Sequence, residues 1–227
     1  MPRMGSIYLI RHGQASFGSA NYDELSPRGW QQSRVLGQHL QALGVQFDAV
    51  MTGTLQRQIH TWDGICEGAG WGHHEPLRHP GLNEYDSGAV LRAHLPEPLG
   101  KPDTPELRRL HFQKLREGLK AWIAGTLKPD GMPSYADWVA AQQDALQKAH
   151  ALAPNGRVAI VSSGGPITTL IGGLTGMPPE SSIELNLRIK NTAIAELVTT
   201  SRRMSLLSFN ETPHLQTPAT QDLLTYA

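Results

Sequence analysis

The feature that most constrains the fold of this chain is the alternation of short apolar runs with longer amphipathic segments. Runs at residues 6–10, 47–51 and 157–162 have the length and composition of buried strands, and segments with helical periodicity lie between them. Strands that alternate with helices form a sheet whose two faces are both covered by helices. The sequence therefore predicts an α/β fold with three layers around a mixed, mainly parallel sheet.

Three of the intervening segments carry the signals that begin a helix. A serine or threonine side chain can accept a hydrogen bond from the free N–H groups of the first turn, and proline fits the first helical position. One helix is predicted within residues 25–44, a second from residue 104, and a third from residue 134 to about residue 152. The predicted caps and first-turn prolines are Ser26 with Pro27, Thr104 with Pro105, and Ser134.

The second half of the chain completes the predicted topology. Two further strands are expected within residues 191–200 and 202–210, where a short polar turn would join them as an antiparallel hairpin. The stretch 88–105 is rich in glycine and proline, and we expect a loop there that leads into a helical insertion at about 90–135. No linker divides the chain, so a single domain over residues 1–227 is expected.

Composition excludes several classes of protein. Twenty basic and twenty acidic residues give a formal net charge of zero, which argues against general binding to nucleic acid or anionic membranes. Cys66 is the only cysteine, so a disulfide within the chain is excluded and a reducing compartment is expected. No apolar run suits a signal peptide or a membrane-spanning helix. We expect a cytoplasmic protein whose oligomeric state stays open, with a homodimer as one option.

Polar residues collect where three predicted strands end, and ligands bind at the carboxyl ends of strands in open α/β sheets. The first strand ends in Arg11, His12 and Gly13, and the second leads into a segment where Thr54 can cap a helix whose first turn carries Arg57. The third ends in "SSGGPI", which exposes backbone N–H groups at a helix N-terminus. Each piece alone has a simpler structural explanation. Together they predict an anion site, and the planar guanidinium group suits phosphate.

Several motifs, taken in order, resemble the histidine phosphatase superfamily, which includes phosphoglycerate mutases and related phosphatases. They are "LIRHGQ", "LSPRGWQQ", "TGTLQRQIHTW", "LNEYDSG", "VAIVSSGGPI", "NTAIAEL" and "SFNETPHL". The similarity covers nearly the whole chain, and residues 90–135 are its least constrained part. No single motif is specific for this family. The combination of the Arg-His-Gly start with the later arginine and glutamate is specific for it. The resemblance implies a phosphoglycerate mutase-like fold.

The resemblance also implies a role for individual residues. His12 matches the nucleophile that accepts the phosphoryl group, and Arg11 and Arg57 match the arginines that hold the phosphoryl oxygens. Glu84 matches the acid that protonates the leaving oxygen and later helps to activate water. Asp86 is the alternative acid if the loop has a different register. This scheme needs neither a metal ion nor another cofactor.

One position departs from the family pattern. Family members carry a second histidine followed by glycine at the strand end where this chain has Ser163 and Gly164. A serine hydroxyl is shorter than an imidazole and neutral, yet it still donates a hydrogen bond. We therefore expect Ser163 and Gly164 to contact the phosphoryl group and turnover to be slow. Gln14 and Ser16 follow the nucleophile and are expected to line the pocket.

These features lead to one main hypothesis and two alternatives. The main hypothesis is a metal-independent phosphatase that hydrolyses a small phosphomonoester through a phosphohistidine at His12. One alternative is an enzyme that transfers a phosphoryl group as phosphoglycerate mutases do. The other is a catalytically weak phosphate-binding or regulatory protein. The segment "WGHHE" contains His73, His74 and Glu75, but adjacent histidines in a glycine-rich loop are expected to be solvent-exposed and not metal ligands.

Overall fold

The computed structural model describes residues 4–16, 23–72, 74–100, 103–200 and 203–226. Within these ranges, the strands are β1 (Gly5–Arg11), β2 (Ala49–Thr52), β3 (Leu77–Arg78), β4 (Arg157–Ser162), β5 (Ile194–Thr199) and β6 (Met204–Glu211). The helices are α1 (Pro27–Ala42), α2 (Gln56–Ala69), α3 (Ser87–His94), α4 (Pro105–Ile123), α5 (Tyr135–Leu152), α6 (Gly164–Thr175) and α7 (Pro179–Asn186). None of these helices combines the length and the apolar character that crossing a membrane requires.

The sheet is mixed and mainly parallel. Its order is β3-β2-β4-β1-β5-β6. The contacts β3–β2, β2–β4 and β4–β1 are parallel, whereas β1–β5 and β5–β6 are antiparallel. This arrangement confirms the predicted α/β class and the antiparallel closing hairpin.

Strand β4 shows how the sheet separates its two helical layers. Val158 and Ile160 are buried in an apolar cluster with side chains of α5 and α6. Ala159 and Val161 point to the other face, into a cluster with side chains of α1 and α2. Successive side chains of a strand point to opposite faces, so a continuous apolar run is the pattern required by a strand covered on both sides.

The predicted helix starts are confirmed at all three caps. Ser26, Thr104 and Ser134 each accept a hydrogen bond from the backbone N–H three residues further on. A cap of this kind depends only on neighbouring residues, so the sequence is sufficient to locate it.

Two local predictions are wrong. The expected loop at 88–105 contains α3, which begins after Asp86, whose carboxylate accepts the Ala89 N–H. This helix is stabilised by packing, because Val90 is fully buried and Gly118 of α4 lets α3 approach closely. Thr54 does not cap α2, since the N-cap residue is Leu55 and no side-chain hydrogen bond caps it from there.

The sheet brings the ends of β1, β2 and β4 to one edge. Arg11 pairs with Ser162 in the parallel register of β1 and β4, and Thr52 pairs with Val161 where β2 meets β4. The His12 N–H continues the ladder by donating to the carbonyl of Ser162 at 2.9 Å. The residues that follow these three strands therefore surround one place on the edge of the sheet.

Candidate active site

His12 follows β1 directly, and hydrogen bonds define which of its ring nitrogens carries the proton. Its Nδ1 lies 2.7 Å from the carbonyl oxygen of Gly13, which can only accept, so Nδ1 is protonated. Its Nε2 lies 3.2 Å from Nε of Arg57, which can only donate, so Nε2 presents a lone pair. Burial, and then the Arg57 and Arg11 guanidinium groups, hold the pKa of His12 well below its ordinary value. His12 is therefore a neutral imidazole with Nε2 as its basic atom.

Arg57, in the first turn of α2, is oriented by Asp23. Its Nη1 lies 2.7 Å from Oδ1 of Asp23, and the other oxygen of this carboxylate accepts the Gln56 N–H at 2.8 Å. Asp23 thus supplies the start of α2 with the side-chain acceptor that Leu55 lacks. Asp23 was not among the residues predicted for the site, because it precedes Arg57 by 34 residues and belongs to no recognisable motif.

Arg11 is the last residue of β1 and is buried beside His12. Its Nη1 donates to the carbonyl oxygen of Ile189. The guanidinium groups of Arg11 and Arg57 both lower the pKa of His12 and both act on the pKa of Glu84. Both guanidinium groups are therefore close enough to the His12 imidazole and to the Glu84 carboxyl group to interact with them electrostatically.

Glu84 lies against the N-terminus of α6. The Gly165 N–H donates to its Oε2 at 3.0 Å, and a Cβ at position 165 would lie 2.1 Å from its Oε1. The carboxylate therefore lies directly against the backbone of Gly165, and a side chain at position 165 would force it to move. Burial raises the pKa of Glu84, while the Gly165 N–H and the cations Arg57 and Arg11 offset part of this shift. Asp86, the alternative acid, is exposed and caps α3 instead.

Ser163 is placed beside His12 by the strand register, but its hydroxyl bonds to the interior of the protein. The residue is fully buried, and Nε2 of Gln58 donates to its Oγ at 2.9 Å. The same amide nitrogen donates to the carbonyl oxygen of Leu82 at 2.8 Å. Gly164 is also in close contact, because a Cβ there would lie 2.0 Å from Oδ1 of Asn186. Sequence reasoning missed Gln58 as the partner of Ser163.

Gln14 and Ser16 connect the segment that follows His12 to the start of α1. The Gln14 side chain accepts a hydrogen bond from the Ser26 hydroxyl at 2.9 Å, and the Ser26 N–H donates to the Gln14 carbonyl oxygen. The Ser16 N–H donates to the carbonyl oxygen of Glu24 at 2.8 Å. The described contacts of Gln14 thus fasten this segment to α1, and a role for either residue in lining a pocket stays a prediction.

No metal site is recognisable in the part of the chain that the structure describes. Within it, no three histidine, cysteine, aspartate or glutamate side chains form a group that could hold a metal ion. In the "WGHHE" segment, Glu75 pairs with Arg78 at 2.8 Å and the carbonyl oxygen of His74 accepts the Trp62 indole N–H. His73 lies outside the described residues.

The sequence of the chain matches one known family over most of its length. A model described as "Histidine phosphatase superfamily (branch 1)" matches residues 7–212, which is most of the chain. The chain belongs to the histidine phosphatase superfamily. The matched region extends from β1 to the residue after β6 and so includes all four of Arg11, His12, Arg57 and Glu84.

Curated relatives match a smaller part of this member of the superfamily. A "2,3-bisphosphoglycerate-dependent phosphoglycerate mutase" of Methylorubrum extorquens (strain PA1) is 36% identical over 88 residues, which are 36% of this chain and 42% of that protein. The chain thus spans less than half the length of such relatives.

Solved structures match over nearly the whole chain. A phosphoserine phosphatase from Entamoeba histolytica, in complex with 3-phosphoglyceric acid, is 25% identical with a TM-score of 0.63 and covers 93% of this chain and 99% of its own. A phosphoglycerate mutase from Bacillus anthracis str. Sterne is 15% identical with a TM-score of 0.64, covering 94% and 96%. These neighbours agree with the phosphoglycerate mutase-like fold that the sequence predicts.

Proposed function

We propose that this chain is a phosphatase that hydrolyses small phosphomonoesters through a phosphohistidine formed at Nε2 of His12. The observation that carries the proposal is the contact between Nε of Arg57 and Nε2 of His12 at 3.2 Å. The contact requires a lone pair on Nε2 and puts a guanidinium group next to the atom that would attack phosphorus. A nucleophile and a phosphate-binding cation are thus adjacent before substrate arrives.

In the first step, the lone pair of Nε2 attacks phosphorus and the bond from phosphorus to the ester oxygen breaks. Arg11 and Arg57 stabilise the charge on the transferring oxygens, which is the main requirement for phosphoryl transfer. Glu84 gives its proton to the departing oxygen, so an alcohol leaves. The raised pKa of Glu84 supports this role, because a carboxyl group must hold a proton in order to donate it.

In the second step, the carboxylate of Glu84 takes a proton from water as the water oxygen attacks phosphorus. The bond from phosphorus to Nε2 breaks, inorganic phosphate leaves, and His12 is again neutral. Two fixed guanidinium groups supply the positive charge throughout, so the scheme requires no metal ion.

Ser163 enters this proposal as the position where the resemblance to the family implies a second histidine. Its hydroxyl accepts from Gln58 and the residue is fully buried, so a direct bond to a phosphoryl oxygen would need a local rearrangement. We therefore assign most of the stabilisation of the phosphoryl group to Arg11 and Arg57. The expected enzyme is slower than one that has a second histidine, because one preorganised donor is missing.

Phosphoryl transfer of the mutase type is the second candidate, and the names of the curated relatives favour it. In that reaction the phosphoryl group on His12 would return to an acceptor instead of passing to water. Release of inorganic phosphate from phosphoglycerate, against its isomerisation in the presence of 2,3-bisphosphoglycerate, separates the two reactions.

The direct experiment is turnover of p-nitrophenyl phosphate by the wild type and by His12→Ala, both in excess EDTA. The proposal predicts hydrolysis by the wild type and loss of hydrolysis in a His12→Ala protein that keeps its fold. Comparable turnover by the two proteins would contradict it. Phosphate binding without any turnover would favour a binding or regulatory protein. A screen of phosphorylated metabolites would then identify the substrate.

A further inference from the structure

The backbone of the segment that carries His12 is held by a closed ring of hydrogen bonds that passes through Thr225, near the C-terminus. The Gln14 N–H donates to Oε1 of Gln32 at 2.9 Å, and Nε2 of Gln32 donates to Oγ1 of Thr225 at 2.7 Å. The Thr225 hydroxyl donates to Oδ1 of Asn191 at 2.9 Å. Finally, Nδ2 of Asn191 donates to the carbonyl oxygen of His12 at 3.1 Å. The ring thus begins and ends on the two sides of His12 and Gly13.

The direction of every bond in this ring is determined by its neighbours. Gln32 must turn its oxygen to the Gln14 N–H, because its nitrogen also serves the Leu223 carbonyl oxygen at 2.6 Å. Asn191 must turn its nitrogen to the His12 carbonyl, so its oxygen faces Thr225. The group at position 225 must therefore accept one hydrogen bond and donate another. Only a hydroxyl on a short side chain fits this requirement.

The turn that presents Asn191 adopts a backbone conformation that is unfavourable for its sequence. Thr192 has φ of 56°, which is rare for a β-branched residue and persists only where the surroundings enforce it. Its hydroxyl donates to the Asn191 carbonyl oxygen at 2.7 Å, and its N–H points to the His12 carbonyl oxygen at 3.4 Å. The strained turn therefore directs two N–H donors at one oxygen, that of the nucleophile residue.

The amide side chains of this ring lie in the interior of the protein. Gln32 and Asn191 are both buried, and each of their polar side-chain atoms has a partner. A buried amide that loses a partner is destabilised, so a ring satisfied at every atom holds its members in one arrangement.

From this geometry we infer that Thr225 is a positioning residue for His12, acting through Gln32 and Asn191. This role rests on the proposed function, because what is positioned is the attacking imidazole. The Nδ1–H of His12 donates to the Gly13 carbonyl oxygen, so the orientation of the ring depends on the peptide that the hydrogen-bond ring encloses. The Gly13 N–H bond to Thr61 and the Gln32 bond to Leu223 would remain, but loss of the Thr225 hydroxyl would loosen that peptide and let Nε2 shift from its position beside Arg57.

The test compares Thr225→Val, which keeps the shape and removes the hydroxyl, with Thr225→Ser, which keeps the hydroxyl. Thr217→Val is the matched control, since Thr217 is an exposed threonine of the same segment that bonds to Thr220. Turnover of p-nitrophenyl phosphate is measured at a temperature where all proteins are folded. We expect Thr225→Val to lower kcat by roughly tenfold with little change in KM, because a small misplacement of a reacting group is costly. Thr225→Ser and Thr217→Val should match the wild type.

A second readout needs no activity. Exchange of the Gln14 amide hydrogen, measured without substrate, should become faster in Thr225→Val and stay unchanged in Thr225→Ser and Thr217→Val. An unchanged kcat in Thr225→Val, even with a lower melting temperature, would show a merely structural role and overturn the inference. Equal losses in Thr225→Val and Thr225→Ser would also overturn it. If the wild type has no turnover, the proposed function fails, and unchanged Gln14 exchange in Thr225→Val would then overturn the positioning role separately.

Discussion

The two sides of the candidate site differ in what their polar groups face. On the nucleophile side, Arg11, His12 and Arg57 are 5%, 5% and 7% exposed. On the serine side, Ser163 and Gln58 are each 0% exposed. The nucleophile side combines cations with a lone pair, whereas the serine side is neutral and its hydroxyl is bonded to the Gln58 amide nitrogen. A phosphomonoester dianion would therefore interact mainly with the nucleophile side.

Two neighbouring residues of α2 produce this difference. Arg57 bonds to Asp23 and to His12, at the edge of the sheet. Gln58 turns inward and joins the Leu82 carbonyl oxygen to Ser163. A guanidinium group stays charged at all accessible pH values and needs an anion or water, while a neutral amide costs less to bury, and the Gln58 nitrogen has two acceptors in the interior. The helix thus presents a cation at the edge of the sheet and an amide to the interior from adjacent positions.

The largest effect is expected at Arg57. Arg57→Ala removes one of the two cations and should lower kcat/KM for p-nitrophenyl phosphate by roughly 10³-fold, the upper end for loss of one preorganised group. Arg57→Lys keeps the charge but loses the planar guanidinium group that can donate two parallel hydrogen bonds, so its activity should lie between those of Arg57→Ala and the wild type. Arg34→Lys, at an exposed ion pair with Glu67, is the control and should match the wild type. A mild effect of Arg57→Ala would show that the nucleophile side does not supply most of the stabilisation of the phosphoryl group.

The next effect is expected at Glu84 and depends on the leaving group. Glu84→Gln should slow hydrolysis of an alkyl phosphate by roughly 10²-fold, the lower end of what general acid catalysis contributes. Hydrolysis of p-nitrophenyl phosphate should change much less, because its leaving group hardly needs a proton. Asp86→Asn is the control, since that carboxylate caps α3. Equal losses on both substrates, or a larger loss in Asp86→Asn, would reject Glu84 as the acid.

The pH dependence of alkyl phosphate hydrolysis should also depend on Glu84. Burial raises the pKa of Glu84, so its proton is retained to higher pH than in an ordinary glutamate and is lost as the pH rises through that value. Hydrolysis of alkyl phosphates should therefore decline on the alkaline side of this pKa. In Glu84→Gln this decline should be absent, and a profile unchanged from the wild type would contradict the assignment.

A smaller effect is expected from Ser163→Ala. The substitution removes one of the two acceptors of the Gln58 amide nitrogen, so the free energy of unfolding should fall by about 1 kcal/mol. Turnover should decrease by less than about tenfold, because a tenfold change in rate corresponds to about 1.4 kcal/mol of activation free energy. Chemical denaturation and steady-state kinetics measure the two quantities. A loss of turnover comparable with that of Arg57→Ala would show that the serine side contributes as much to turnover as the nucleophile side.

Ser163→His should not restore a family-like rate by itself. Gln58 occupies the space next to the Ser163 hydroxyl, and a larger side chain there overpacks the interior at a cost of about 1–3 kcal/mol. The double variant Ser163→His with Gln58→Ala removes that obstacle and should be faster and more stable than Ser163→His. A single Ser163→His variant that is faster than the wild type would show that the serine side has room after all.

Sequence reasoning succeeded where structure depends on neighbouring residues. The caps at Ser26, Thr104 and Ser134 and the two-sided burial of β4 follow from local patterns. It failed for β3, which is only two residues long, and for α7, neither of which was predicted. Short elements are fixed by the rest of the fold and carry little pattern of their own.

In the site, sequence reasoning identified the residues at strand ends but not the contacts between distant segments. Arg11, His12 and Arg57 were named because the carboxyl ends of parallel strands converge. The contact of Gln58 with Ser163 spans 105 residues, and that of Gln32 with Thr225 spans 193. Neither pair belongs to a spacing rule, so only the folded chain reveals that Ser163 has an internal partner and that the C-terminal segment reaches the nucleophile.

The most direct test of the central claim is to trap the covalent intermediate. Wild type and His12→Ala are mixed with a ³²P-labelled phosphomonoester, quenched in alkali during turnover, and digested for peptide analysis. Phosphohistidine survives alkali and is released by acid, so the account predicts alkali-stable, acid-labile label on the peptide that contains His12 and none in His12→Ala. Steady turnover with no trapped label, or label that persists in His12→Ala, would contradict it.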